Sequence, residues 1–129
     1  MSQSWKPRGY NDVSVYVVAE GAARVMEFLK NVFDAEPLRR FAMPDGTIMH
    51  AELRVGDTVA MIAEAGGAYP AFPVWLHVYV PNAEGVYRKA LEAGGEAVQA
   101  AVQKEHDPDR RGGFKDPAGN TWWVSTQME

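Results

Sequence analysis

The sequence predicts an α+β fold in which two similar halves form a curved, mixed sheet around a cleft. Segments with the alternation and β-branched residues of strands recur along the chain, with only two helical patterns between them. Each half has the same order of elements, a strand, a helix and then two or three strands. We therefore predict a single domain over residues 1–129, with halves at about 10–64 and 74–127 joined by a linker at 65–73.

The first half supports this order element by element. Valines dominate the first predicted strand, and the helix has apolar residues at helical spacing, Val25, Phe28, Leu29 and Val32. Residues 44–46 form a Pro-Asp-Gly turn of the kind that joins a hairpin, and a Gly-Asp turn separates the last two strands. The predicted elements are a strand at 13–18, a helix at 22–33, a segment compatible with a strand at 36–43, and strands at 48–55 and 58–64.

The strand at 48–55 divides by alternation into two sets of side chains. The apolar set, which we expect to pack under the helix, is Met49, Ala51, Leu53 and Val55. The mostly polar set, which we expect to face the cleft or solvent, is Ile48, His50, Glu52 and Arg54. This alternation predicts that His50 and Glu52 lie within reach of each other on one face.

The second half restarts the pattern after a linker rich in alanine, glycine and proline. Asn82 is suited to begin its helix, and Gly94 with Gly95 is suited to end it. The predicted elements are a strand at 74–80, a helix at 82–94, a short strand within 96–102, a turn-rich loop at 106–119 with room for a strand at 113–115, and a last strand at 120–127. In that loop, Asp109 and Arg110 suggest an ion pair that orders the chain.

Composition excludes several classes of protein. Apolar residues make up 47% and charged residues 23% of the chain, which is typical of a globular domain with a real core. The net charge of -4 argues against a nucleic-acid partner, and the absence of cysteine excludes disulfides and thiolate metal sites. The chain has no apolar run long enough for a membrane span and does not begin with a signal-peptide pattern, so we expect a cytoplasmic protein.

Four stretches resemble a known family. They are VVAEGAARVMEFLKNVFDAE, MPDGTIMHAELRVGDTVAMIAE, LHVYVPNAEGVYRKALEAGG and DRRGGFKDPAGNTWW, and together they cover most of the chain. With them the chain resembles the vicinal oxygen chelate superfamily of glyoxalase I, extradiol dioxygenases and bleomycin-resistance proteins, and in particular its PhnB-like branch. The resemblance implies paired βαβββ modules, and usually a homodimer.

The same resemblance implies where a metal would bind. In metal-using members, four ligands come from the inner faces of the strands. By alignment these positions fall on Ser14, Met61, Trp75 and Trp123. Divalent metals at such sites require imidazole or carboxylate donors, which these four side chains lack. The sequence therefore predicts a protein without a metal or other cofactor, and it argues against glyoxalase I or dioxygenase activity.

Aromatic residues are predicted to line the cleft instead. Alternation from the former ligand positions gives a ligand-binding set of Tyr16, His50, Glu52, Trp75, His77, Tyr79 and Trp123, while the adjacent Trp122 faces the core. Aromatic walls with a few polar groups are typical of a small-molecule pocket, and aromatic faces attract planar and cationic molecules. The preferred hypothesis is a metal-free protein that binds and sequesters a planar or cationic compound, such as an antibiotic.

Other interpretations of these residues stay open. The aromatic side chains could simply fill the core, in which case the chain is a structural or partner-binding domain. His50 and Glu52 could form an acid–base pair, or a metal site if His77 lay beside them. In that case the protein would be a metal-dependent lyase, isomerase or dioxygenase. His106, in the turn-rich loop, is expected to be solvated.

Overall fold

A computed structural model describes residues 5–129 and contains two βαβββ modules. The first module consists of β1 (Tyr16–Ala19), α1 (Ala22–Phe33), β2 (Glu36–Ala42), β3 (Ile48–Val55) and β4 (Thr58–Glu64). The second module consists of β5 (Trp75–Tyr79), α2 (Ala83–Glu92), β6 (Glu96–Gln103), β7 (Asp109–Lys115) and β8 (Thr121–Gln127). The predicted α+β class and the paired modules are confirmed.

Each module forms its own four-stranded mixed sheet. The strand order is β1-β4-β3-β2 in the first sheet and β5-β8-β7-β6 in the second. In both sheets the first and last strands of the module pair in parallel, and the other neighbours are antiparallel. Within residues 5–129 no ladder of hydrogen bonds joins the two sheets.

Neither α1 nor α2 is long and apolar enough to cross a membrane.

The two modules share one hydrophobic core around α1. This helix buries six residues, among them the predicted Val25, Phe28, Leu29 and Val32. It contacts α2 and the first sheet, and Phe28 lies against Phe114 of β7 with ring centroids 5.9 Å apart. Through these apolar side chains the helix links both sheets. Burial of each large one contributes about 1.5–3 kcal/mol to stability. We call the face of each sheet that points away from this core its outer face.

At the start of each helix, a polar side chain accepts hydrogen bonds from the first backbone nitrogens. Asn82 accepts a hydrogen bond from the backbone nitrogen of Gly85 at 3.1 Å, as the sequence predicts for the start of α2. The start of α1 is capped from a distant strand, because Glu64 at the end of β4 accepts hydrogen bonds from the backbone nitrogens of Gly21 and Ala22, both at 2.9 Å. A carboxylate is favourable there because the amino end of a helix carries partial positive charge.

The prediction for the beginning of β3 was wrong for two residues. Met49, expected in the core, is 56% exposed, and Ile48, expected outside, is fully buried. The cause is a β-bulge, because Phe41 pairs with His50 but its neighbour Ala42 pairs with Ile48, leaving Met49 without a partner on β2. One extra residue reverses the alternation of side chains on one side of the bulge.

The predicted loop at 106–119 was also wrong over much of its length. Residues Asp109–Lys115 form a full central strand, paired with β8 on one side and β6 on the other. The sequence hides this strand because two arginines and two glycines interrupt any apolar alternation. Both glycines lie where space is short, since a Cβ atom would lie 3.1 Å from the backbone of Ala101 at Gly112 and 2.6 Å from the Trp123 ring at Gly113.

A buried carboxylate organises the turn between β7 and β8. Asp116 accepts hydrogen bonds from the backbone nitrogens of Ala118 and Asn120 and from the side chain of Asn120. It also accepts a hydrogen bond from Trp122 Nε1 at 2.9 Å. Trp122 is almost fully buried and packs on Phe33, with ring centroids 5.2 Å apart. The structure thus places Trp122 in the core, as the alternation of the last strand predicts.

Replacing Asp116 with alanine should destabilise the fold strongly. The change leaves buried donors on Asn120 and Trp122 without acceptors, and we expect the free energy of unfolding to fall by about 3 kcal/mol. Urea denaturation followed by circular dichroism measures this value. Asp45→Ala is the matched control, because Asp45 accepts a hydrogen bond from Thr47 in an exposed turn. A loss as small as that of the control, about 0.5 kcal/mol, would show that Asp116 does not organise the turn.

Candidate functional site

The predicted ligand-binding residues all lie on the outer faces of the two sheets, but in two separate groups. The group on the second sheet is Trp75, His77, Tyr79 and Trp123, and we call it the tryptophan face. The group on the first sheet is Tyr16, His50 and Glu52. Across residues 5–129, no hydrogen bond, ion pair or ring contact joins the two groups.

The tryptophan face is formed by two parallel neighbours, β5 and β8. His77 pairs with Trp123 in the register, and Trp75 lies two residues before His77, so both side chains are on the same face. The rings of Trp75 and Trp123 meet edge to face, with centroids 5.5 Å apart and planes at 61°. Trp75 is 75% exposed, whereas Trp123 is partly buried. One indole is therefore fixed on the sheet and the other projects from it.

Gly113 on β7 makes room for the Trp123 ring. A Cβ atom at this position would lie only 2.6 Å from Cζ3 of Trp123, so only glycine lets the indole lie flat on the strand. The Nε1 atom of Trp123 is buried, and the described residues offer it no acceptor. Leaving such a donor unpaired costs about 1–3 kcal/mol. This arrangement is unfavourable for a side chain whose only role is to pack.

His77 is held by two polar partners. Its Nε2 atom lies 2.9 Å from Arg111 Nη1 and 2.9 Å from Ser125 Oγ. A guanidinium group can only donate, so Nε2 must be the acceptor and the ring proton must be on Nδ1. Burial lowers the pKa of His77, and the positive charge of Arg111 lowers it further, because protonation would place two cations together.

A second polar pair continues along the same face. Tyr79 donates its hydroxyl proton to Asp109 at 2.7 Å, and Arg111 lies 3.4 Å from the same carboxylate. The hydrogen bond to Asp109 raises the pKa of the Tyr79 phenol. The ring of Tyr79 meets that of His77 edge to face at 4.8 Å. The polar half of the face is thus a fixed network of two aromatic side chains, one arginine and one buried carboxylate.

A pocket of about 610 Å³ opens beside this face. The residues that line it include Trp75, His77 and Tyr79 from β5 and Val15, Val55 and Ala60 from the first module. A volume of this size suits a small molecule. The pocket therefore combines aromatic and apolar walls with an imidazole whose protonation is controlled by its neighbours.

The group on the first sheet forms a chain of hydrogen bonds. Tyr16 Oη lies 2.8 Å from His50 Nδ1, and His50 Nε2 lies 2.8 Å from Glu52 Oε2. Tyr10, from the segment before β1, donates its hydroxyl to the other oxygen of Glu52. The segment is anchored by Asn11, which accepts a hydrogen bond from the backbone nitrogen of Val59. It covers this part of the outer face, and Glu52 is only 4% exposed.

The residues that the resemblance aligns with metal ligands do not suit a metal ion. Trp75 and Trp123 pack against each other, and Met61 lies on the outer face of the first sheet beside Tyr16 and Glu52. Indoles and a thioether do not provide the donors that a divalent metal requires at such a site. In the part of the chain that the structure describes, no three His, Asp or Glu side chains are grouped to hold a metal. His77 is bonded within the second sheet, away from the His50–Glu52 pair.

Three residues that shape the two groups were missed by the sequence analysis. Asp109 is bonded to Tyr79 and Arg111, while Arg110 lies 3.9 Å from Glu84, so the expected Asp109–Arg110 pair was wrong. Treating residues 109–115 as a strand would have placed Asp109 and Arg111 on the face of Trp123. Tyr10 carries no such signal, because it lies in a segment without regular structure.

The chain belongs to the glyoxalase/bleomycin resistance protein/dioxygenase superfamily, whose family model matches residues 13–124. It is 31% identical over 121 residues to the uncharacterized protein Rv0887c of Mycobacterium tuberculosis, covering 85% of this chain and 71% of the relative.

Solved structures of the same fold include TioX from Micromonospora sp. ML1. It has a TM-score of 0.77 and 23% identity over 91% of this chain and 98% of the other. A PhnB protein from Bacillus cereus, described as a putative 3-demethylubiquinone-9 3-methyltransferase, has a TM-score of 0.65. It is 15% identical and covers 90% of this chain and 99% of the other. The resemblance to this superfamily and its PhnB-like members is confirmed.

The protonation of His77 provides a test of the polar network. NMR titration of the imidazole should give a pKa below the usual value of 6.5, and Arg111→Gln should raise it, because the neighbouring positive charge is removed. Arg110→Gln is the matched control, since the adjacent arginine pairs with Glu84 and should leave the titration of His77 unchanged. Equal effects of the two substitutions would contradict the proposed contact.

Proposed function

We propose that the protein binds a planar small molecule on the tryptophan face without using a metal, and that it acts by sequestration. The observation that carries the proposal is the pairing of an exposed Trp75 with a fixed Trp123 beside a pocket of about 610 Å³. Stacking on an indole contributes about 0.5–1.5 kcal/mol beyond burial of surface. The name of the family includes bleomycin-resistance proteins, which is in keeping with binding as a function.

Two N–H donors on the tryptophan face favour guests that carry hydrogen-bond acceptors. With the ring proton of His77 on Nδ1, this N–H has no acceptor among the described residues. The buried Nε1–H of Trp123 is likewise without an acceptor. A guest with a carbonyl or ring-nitrogen acceptor at its edge can pair with the His77 donor.

We further propose that the protein works as a cytoplasmic homodimer. The resemblance to the superfamily implies a dimer, and apolar side chains remain exposed on the edge strands β2 and β6, including Phe41, Val98 and Val102. Sedimentation or light scattering at several concentrations measures the assembly directly.

Titration with caffeine, a neutral planar molecule that carries only carbonyl and ring-nitrogen acceptors, tests the binding surface. Isothermal titration calorimetry should show binding to the wild-type protein, and Trp75→Ala should weaken it about three- to tenfold through the loss of stacking. Trp5→Ala is the control, because Trp5 is 81% exposed and lies outside the tryptophan face. The proposal fails if caffeine does not bind, or if the two substitutions weaken its binding equally.

The alternative is a metal-dependent lyase, isomerase or dioxygenase, favoured by the contact between His50 and Glu52 at 2.8 Å. An imidazole and a carboxylate can both bind divalent metals, although this pair needs further ligands. Elemental analysis of protein purified without chelators separates the two candidates. We expect substoichiometric Zn, Ni, Fe and Mn, whereas one metal ion per chain that is lost in His50→Ala would support the enzyme.

A further inference from the structure

A second pocket lies on the first sheet and shares no lining residue with the pocket beside the tryptophan face. Its volume is about 650 Å³. Two tyrosines, two methionines and one carboxylate stand out among its lining residues, Tyr16, Tyr69, Met43, Met49 and Glu64. No lysine, arginine or histidine belongs to the lining among the described residues. The pocket is therefore largely apolar and aromatic, and its one carboxylate, Glu64, accepts the hydrogen bonds that begin α1.

The hydrogen-bond chain behind this pocket determines where the proton of Tyr16 points. Burial opposes ionisation of Glu52, but the hydrogen bonds from Tyr10 and His50 outweigh it and hold the pKa of this carboxyl below its usual value. An ionised carboxylate only accepts, so His50 must donate from Nε2. In a neutral imidazole the other nitrogen is then an acceptor, and the Tyr16 hydroxyl donates to it at 2.8 Å.

This direction leaves the Tyr16 oxygen as an acceptor. Its proton is used by His50, and residues 5–129 offer the oxygen no other hydrogen-bond partner. Tyr16 is also partly exposed and lines the pocket. The buried carboxylate of Glu52 thus sets, through His50, the direction of the Tyr16 hydroxyl. As a result the pocket offers an acceptor to a donor on the ligand.

We propose that this first-sheet pocket binds an amine attached to an apolar body, with the ammonium group donating a hydrogen bond to Tyr16. The aromatic faces of Tyr16 and Tyr69 favour the positive charge, and Glu64, which caps α1, adds negative charge nearby. Val18 and the two methionines contact the apolar part. This site is independent of the tryptophan face and of the planar guest proposed there.

The bulge in β3 and the N-terminal segment both contribute to this pocket. The bulge turns Met49 outward, so that its flexible thioether is part of the lining. Tyr10 occupies one oxygen of Glu52, which leaves the other oxygen for His50. Without Tyr10, Glu52 would be less buried and less firmly oriented, and the control over the Tyr16 proton would weaken.

Two bulky, non-planar probes of matched shape test the polarity of the site. Adamantylmethylamine carries a donor, whereas adamantyl methyl ketone carries only an acceptor, and neither can stack on indole. At about pH 8 the amine is protonated. Calorimetry should show that the amine binds at least about tenfold more tightly than the ketone, because a hydrogen bond to a charged group is lost with the ketone.

Substitutions locate the probe. Tyr16→Phe should weaken binding of the amine about tenfold, while Tyr79→Phe, the same change on the second sheet, should leave it unchanged. Trp75→Ala should weaken binding of caffeine and leave binding of the amine unaffected, so failure of one site is distinguishable from failure of the other.

Glu52→Gln should reverse the preference for the two probes. Tyr10 continues to donate to the amide oxygen, so the amide nitrogen faces His50 and donates to Nε2. The ring proton then moves to Nδ1, and the Tyr16 hydroxyl is released toward the pocket. We expect the ratio of ketone to amine affinity to rise about tenfold or more. The proposal is overturned if neither probe binds, if the ketone binds the wild type as well as the amine, or if this ratio is unchanged.

Discussion

The buried carboxylate of Asp116 is the interaction on which much of this structure depends. It accepts hydrogen bonds from the turn that follows it and from the indole of Trp122. One side chain therefore holds both the turn and the position of Trp122 at the start of β8. With Trp122 fixed in the core, alternation places Trp123 on the outer face of the same sheet. The adjacent tryptophans therefore have opposite roles, one in packing α1 against the second module and one in forming a surface.

The two outer faces have complementary hydrogen-bonding properties. On the second sheet, the guanidinium of Arg111 makes His77 accept on Nε2, which leaves a donor at Nδ1. On the first sheet, the carboxylate of Glu52 makes His50 donate, which leaves an acceptor at Tyr16. In each case a charged neighbour favours one tautomer of the neutral histidine, and the tautomer sets whether the surface offers a donor or an acceptor. The same residue type is thus used for opposite purposes in the two modules.

The indole of Trp123 constrains the strand beside it. The chain has the two-module fold of its superfamily, and Trp123 meets Trp75 on the outer face of the second sheet. Gly113 accommodates the larger side chain, because any Cβ atom there would collide with Trp123. A bulky ring in the centre of a sheet thus requires a glycine on the neighbouring strand, and the two positions have to change together.

The sequence by itself determined the helices, most strands, the two-module order and the core position of Trp122, because each of these depends on periodicity within a short segment. Only the tertiary structure decided three other features. The bulge at Met49 depends on how β2 pairs with β3, strand β7 depends on neighbours on both sides, and Tyr10 reaches Glu52 from 42 positions away in the chain. Strand register and long-range hydrogen bonds are set by the partner segment, and local alternation contains no information about that partner.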